Sequence, residues 1–267
     1  MKGLIWDAEN YSCAYDALYT ILFNIWEFNP SKWNTVFGCF GPFAANLVNG
    51  FKDIQSGRTS FELVRNNIRH QIHCENSEHF PYGQNGTDIG DLIRTMFPNP
   101  EHSVRHQATC IQCNRTNTLF RTPDLASVIY VKNSKGMTAI NKLFQIMQQH
   151  IKPCSTCDSP MNITQKYNGT PNILIFMPSG HKVSISKNIR VLAMNGLNTF
   201  LPVRGIIYLK DFHFTTLLIT PGKEVWYHDG RTTGEEAELK GNLEDFSEKK
   251  LYQYRNKRAV AIIYAKK

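Results

Sequence analysis

The chain has 267 residues, 42% of them hydrophobic and 19% charged, the balance of a globular protein with one large core or two modest ones. Lys and Arg number 30 against 22 Asp and Glu, a net charge of +8, but the charges are scattered and favour a solvated face or an acidic protein partner over nucleic acid. The apolar runs are too short for a membrane span and no basic-then-apolar leader opens the chain, so the expectation is a soluble monomer of the cytoplasm or nucleus, with no membrane role.

The first 100 residues read as helical. From Cys13 the apolar residues Ala14, Ala17, Leu18, Ile21, Leu22 and Ile25 recur at three- and four-residue spacing and predict one buried helix face, which Pro30 stops. Thr59 with Glu62 forms a capping-box pattern ahead of a second helix holding Leu63, Val64, Ile68 and Ile72. After a loop from Pro81 to Gly86, a third turns Ile89, Leu92, Ile93 and Met96 inward. Beyond about Ser103 short β-rich runs take over: Ser127 to Lys132, Asn172 to Met177, Lys182 to Leu192, Gly205 to Leu209, Phe212 to Thr220, Glu224 to Tyr227 and Ala259 to Tyr264. One helix, Met137 to Ile151, interrupts them. Helices first and strands later predict an α+β fold, a helical lobe packed on an antiparallel sheet.

Seven cysteines suit no paired disulfide framework, and four of them form Cys110-Ile-Gln-Cys113 and Cys154-Ser-Thr-Cys157. Forty residues lie between the pairs, each at a turn between extended segments. Four thiolates so spaced predict a tetrahedral structural zinc, and the redox reading of Cys-x-x-Cys leaves the second copy unexplained. Asn-x-Ser/Thr matches at Asn85, Asn114, Asn162 and Asn168 are chance in an intracellular chain.

Cys13 stands at the start of the first long helix, after the capping types Asn10 and Ser12. Backbone N–H groups and the helix dipole at that end lower a thiol pKa, which a nucleophilic cysteine needs. His213 opens an alternating strand that turns at Thr220-Pro221-Gly222 and returns to Asp229. The hairpin brings Asp229 to His213, where its carboxylate is expected to accept the Nδ1–H, with Asp211 the rival acid. The order Cys13, His213, Asp229 predicts a papain-like triad.

The order of a cysteine motif, a paired Cys-x-x-Cys insert and a histidine motif ending in Trp226-Tyr-His-Asp229 resembles the ubiquitin-specific proteases over nearly the whole chain. Gly3-Leu4 and Cys13-Ala-Tyr-Asp-Ala-Leu18 resemble the family's first motif. Gln84 to Leu92, Pro171 to Met177 and Phe200 to Ile207 are similar to its middle segments. The resemblance implies a hand: a helical thumb over 1–100, zinc-bearing fingers over 101–170 and a palm with the His/Asp motif over 171–267. It also implies a thiol-dependent ubiquitinyl hydrolase that cleaves after the terminal Gly-Gly of ubiquitin or a ubiquitin-like modifier, with those conjugates as partners. Ala8 stands where the family carries an oxyanion Asn, which leaves Asn10 as the nearest replacement. Phe212 replaces a Gly, and Phe214 a Tyr. Asp16 replaces an Asn and is similar to the SUMO-cleaving relative, so a SUMO isopeptidase is the first alternative. An acyltransferase or transglutaminase shares the residue order but gives no reason for the zinc insert. A catalytically inactive zinc-containing domain that binds nucleic acid or protein is the alternative of another class. Only twelve residues precede Cys13, as expected of a domain cut from a longer protein.

Overall fold

The structure is a computed structural model, and it describes residues 1–98, 104–121, 127–131, 136–193, 196 and 198–267. The helical half comprises α1 (Cys13–Glu27), α2 (Pro30–Gly38), α3 (Pro42–Gln55), α4 (Phe61–Glu75) and α5 (Ile89–Met96). In α1 every residue from Cys13 to Trp26 is buried, so the helix is enclosed on all sides and is not the one-faced element its spacing predicts. It lies between α2, α4 and α5 and the sheet strands described below. Phe23, Trp26, Phe51 and Phe61 pack ring against ring around its C-terminal half.

Pro30 does not merely stop α1. It is the first residue of α2, where its missing N–H costs nothing, and Asn29 caps that helix by accepting from Lys32 N. The cap of α4 is Ser60, which accepts from Leu63 N at 3.1 Å, one residue later than the capping-box pattern placed it. Leu63 is exposed, whereas Val64, Ile68 and Ile72 are buried. In α5 all four expected residues are buried, and Asp88 caps the helix by accepting from Gly90 N and Asp91 N.

The second half contains β1 (Val104–Cys110), β2 (Thr116–Arg121), β3 (Val128–Tyr130), β4 (Thr138–Ala139), α6 (Ile140–Gln148), β5 (Gln149–Pro153), β6 (Pro160–Tyr167), β7 (Ile173–Met177), β8 (Val183–Ser184), β9 (Asn188–Leu192), β10 (Asn198–Lys210), β11 (His213–Ile219), β12 (Glu224–His228), β13 (Glu238–Asn242), α7 (Glu248–Tyr252), β14 (Gln253–Tyr254) and β15 (Lys257–Ala265). The large sheet runs β13-β12-β11-β10-β15-β7-β3, with β14 on β15 and β9 on β10. Its ladders are antiparallel except β3 with β7, which is parallel and departs from the expected wholly antiparallel palm. A separate antiparallel sheet, β2-β1-β6-β5, is built from two hairpins. Pairing of Gln149–Pro153 with β6 draws those residues out of the helix expected to reach Ile151. The run Lys182 to Leu192 divides into β8 and β9, and Lys132 of the first β-rich run lies outside the described residues.

Side chains alternate across the large sheet as the pleat requires. Ile207 and Leu218 face the helical core, while Ile206, Tyr208, Leu217 and Ile219 face a second core with α6 and α7. Among the described residues no helix is long and apolar enough to cross a membrane.

Candidate active site and cysteine cluster

Three segments meet where α1 begins. The N-terminal segment lies against the end of β12: Gly3 N donates to Glu235 O at 2.6 Å and Trp6 N to Gly230 O at 3.2 Å. The approach leaves no space for a side chain at either glycine. A Cβ on Gly3 would sit 2.2 Å from the His228 ring, and one on Gly230 would sit 2.7 Å from Leu4 O. This docking delivers the loop before α1 to the strand that precedes Asp229.

The loop is fixed by buried polar groups. Ser12 Oγ accepts from Asp7 N at 2.8 Å and donates to Asp16 Oδ2 at 2.6 Å. Arg65 Nη1 donates to Asp16 Oδ1 at 2.8 Å and to Ile5 O at 2.6 Å. Burial pushes the Asp16 carboxyl up to about 7 against the pull of Arg65 and Ser12. This pair accounts for Asp16 without a substrate, because its charge is turned into the helical lobe. Ser12 is the N-cap residue of α1 by position, but its side chain makes no capping hydrogen bond.

Cys13 is the first residue of α1 and is 6% exposed. Its Sγ lies 3.9 Å from Phe212 O, at the turn that leads into His213. Burial pushes the thiol up, an effect that the Phe214 amide and the helix N-terminal amides oppose and that Asp16 reinforces. The expected lowering by the helix terminus is therefore overturned. In a site this enclosed, loss of water outweighs a few N–H dipoles.

Asp211 and Phe212 form the two-residue turn between β10 and β11, both with positive φ, and Lys210 pairs with His213 across it. Phe212 is 96% exposed beside the thiol. The β11–β12 register pairs Thr216 with His228, which puts Asp229 level with Thr215 and one pleat repeat from His213 on the same face. His213 Nε2 lies 2.7 Å from Asp229 Oδ1. The contact is through Nε2 and not the expected Nδ1. Asp229 also receives Arg231 N at 3.1 Å, Tyr227 Oη at 3.2 Å and Lys257 Nζ at 3.5 Å. Burial would raise its carboxyl, but the His213 hydrogen bond and charge, then Lys257 and the Arg231 amide, outweigh that and hold it well below the carboxylate range. Asp211 is exposed on the turn and pairs only loosely with Lys210, at 3.9 Å.

Asn10 is half-buried beside this loop. Its Nδ2 donates to Asp7 Oδ2 at 2.9 Å and its Oδ1 accepts from Gly83 N at 3.2 Å. Sequence reasoning missed Trp6, Tyr227 and Lys257. Trp6 sets its ring edge-on to His213 at 6.1 Å, and Arg231 lies 4.4 Å over it. Tyr227 was legible, standing two residues before Asp229 on the same strand face. Lys257 belonged to the basic C-terminal run, which is no single patch: Arg255 stacks on Tyr227, Lys250 on Phe246, and Lys257 turns in to Asp229. Between α5 and the sheet a cleft of about 230 Å³ runs past Phe214, lined by Asp88, Gly90, Leu209 and Val260.

The two Cys-x-x-Cys pairs occupy the hairpin turns β1–β2 and β5–β6, and the β1–β6 ladder sets those turns side by side. The sulfurs of Cys110, Cys113, Cys154 and Cys157 all lie within 4.8 Å of one another, and all four are free thiols. Cys110–Cys157 is 3.5 Å, and Cys113 lies 3.8 Å from both Cys154 and Cys157. A tetrahedron of zinc–sulfur bonds of about 2.3 Å has edges of about 3.8 Å, so the cluster fits a structural zinc of the Cys₄ type.

No family model matches the chain, and no curated protein matches it in sequence. Solved structures do. The chain is similar to the SAGA DUB module of Ubp8, Sgf11, Sus1 and Sgf73 bound to monoubiquitin, at 9% identity and a TM-score of 0.64, over 99% of this chain and 69% of that one. It is similar to the same module bound to ubiquitin aldehyde, at 11% identity and 0.62, over 99% and 69%. A variant of that module gives 10% identity and 0.65, over 99% and 68%. At these identities the likeness concerns the fold, which is that of the ubiquitin-specific proteases.

Proposed function

We propose that this chain is a cysteine isopeptidase that removes ubiquitin from lysine side chains, with Cys13 as nucleophile, His213 as base and Asp229 as the group that orients it. The observation that carries this reading is the His213 Nε2–Asp229 contact of 2.7 Å beside a thiol at a helix start. With Nε2 occupied by Asp229, Nδ1 is the ring nitrogen left to take the thiol proton. The Cys13 sulfur then bonds to the carbonyl carbon of the modifier's final glycine, and the charge passes to the carbonyl oxygen. In this reading the backbone N–H groups at the start of α1, with the second Nδ2–H of Asn10, would donate to that oxygen. As the C–N bond breaks, His213 returns the proton to the departing lysine amine. Water, deprotonated by the same ring, then releases the modifier and the thiol.

The cleft between α5 and the sheet is the path for a narrow glycine tail, and the hairpin sheet would hold the globular body. Zinc on the four cysteines would tie the two hairpin tips together and takes no part in the reaction. The division into thumb, fingers and palm follows from the same reading. Ubiquitin is preferred to SUMO because similar structures hold ubiquitin and because Asp16 is spent on Arg65. The test is labelling by ubiquitin and SUMO probes that carry C-terminal electrophiles. Adduct formation at Cys13 with the ubiquitin probe supports the reading, and reaction with the SUMO probe alone changes the substrate. Reaction with neither defeats it.

A further inference from the structure

At the far end of β11 from His213, about 20 Å along the strand, a second cavity of about 510 Å³ opens on the large sheet. Arg204, on β10, lines it. The residue is 6% exposed, its Nη1 reaches only Ile219 O at 3.5 Å, and its Nη2 has no partner. Of the other buried arginines, Arg65 is paired with Asp16, and Arg69, whose Nε also lacks a partner, donates to Pro81 O and stacks on Tyr15 and Tyr82. No carboxylate among the described residues pairs with Arg204, and burial lowers its pKa to about 10. A guanidinium in this state lacks the counter-ion that normally accompanies a buried charge.

The rim continues the positive field. Lys187, Lys223, Lys266 and Lys267 line the cavity with one acid, Glu244, which both Lys187 and Lys223 approach at 2.8 Å. The wall is apolar: Phe200 is 61% exposed there, beside Pro202, Val203 and Ile219. A deep unpaired guanidinium below a lysine rim and beside an exposed aromatic ring is complementary to an anion that carries an apolar body.

We propose that this cavity is a binding site for an oxyanion, carboxylate or phosphate, attached to an apolar group, with Arg204 as its charged partner. The site is independent of the triad, and no step of the proposed hydrolysis passes through it.

Calorimetry on the whole chain tests this with three probes: 4-phenylbutyrate, its neutral amide and inorganic phosphate. Phenylbutyrate should bind one to one, and Arg204→Met should weaken it at least tenfold. The amide should not bind. Phe200→Ala should weaken phenylbutyrate several-fold and leave phosphate unchanged, which separates an anion on an apolar body from a free phosphate. Should Arg204→Met fail to fold, Glu244→Gln provides the opposite sign: removing the one rim acid should tighten both anions several-fold. Equal binding by Arg204→Met, equal binding of the amide, or no gain in Glu244→Gln overturns the proposal. Tighter binding of bare phosphate, indifferent to Phe200→Ala, overturns the apolar half of it.

Discussion

His213 meets Asp229 through Nε2, at 2.7 Å, which leaves Nδ1 as the ring nitrogen turned away from that carboxylate. In the proposed hydrolysis this one hydrogen bond sets both the tautomer and the ring nitrogen that meets the Cys13 thiol. Replacing Asp229 by Asn removes the charge that stabilises the imidazolium. The corresponding change in a serine protease costs about 10⁴-fold in turnover. A thiol depends less on its base, so a loss of roughly 10²–10³-fold in kcat/KM on a ubiquitin–fluorophore substrate is expected. Asp211→Asn, on the exposed turn, should remain near wild type. The reverse pattern would move the role from Asp229 to Asp211.

Burial holds the Cys13 thiol up, and in the proposed hydrolysis that thiol gives its proton to His213. Both Cys13→Ala and His213→Gln should therefore abolish probe labelling with the fold intact. A preformed thiolate would still label in His213→Gln at a substantial rate, and mass spectrometry of the adduct reads the difference.

The depressed Asp229 carboxyl also links stability to pH. Its folded value lies below the ordinary 3.8, so the unfolded chain binds the proton first and the contribution is complete above that value. It fades as pH falls from about 4. Denaturant midpoints of wild type and Asp229→Asn should thus draw together as pH falls from about 4 toward 2. A difference unchanged across that window would mean that the carboxyl is not held down in the folded protein.

Elemental analysis should find one zinc per chain. Cys110→Ser should lower thermal stability and ubiquitin binding together, since comparable sites contribute roughly 10–16 kcal/mol in zinc-finger peptides. Cys39→Ser, on an exposed cysteine away from the cluster, is the control. A metal-free sample with full stability and activity would remove zinc from the account.

Gly3→Ala places a methyl group where the His228 ring now sits, at 2.2 Å. Overpacking of this kind costs about 1–3 kcal/mol. Because the same segment positions the loop that leads into Cys13, kcat should fall by more than the folded fraction does. Equal losses in both would show that the docking only stabilises.

Some of this was fixed by local pattern. The inward face of α5, the hairpin that returns Asp229 to His213 and the turns that carry the cysteine pairs all follow from residues near in sequence, where period and turn chemistry act directly. Other features depend on what comes from elsewhere in the chain. The spacing of α1 announces one apolar face, yet α4, α5 and the sheet enclose it completely. Cys13 stands at a helix start that lowers a thiol pKa, and the same enclosure removes water and raises it. Lys257 lies in a run of basic residues but turns inward to Asp229, a partner from a segment distant in sequence. Burial and dielectric are sums over distant segments, so sequence names Cys13, His213 and Asp229 while packing brings in Trp6, Tyr227 and Lys257 and decides which ring nitrogen meets Asp229.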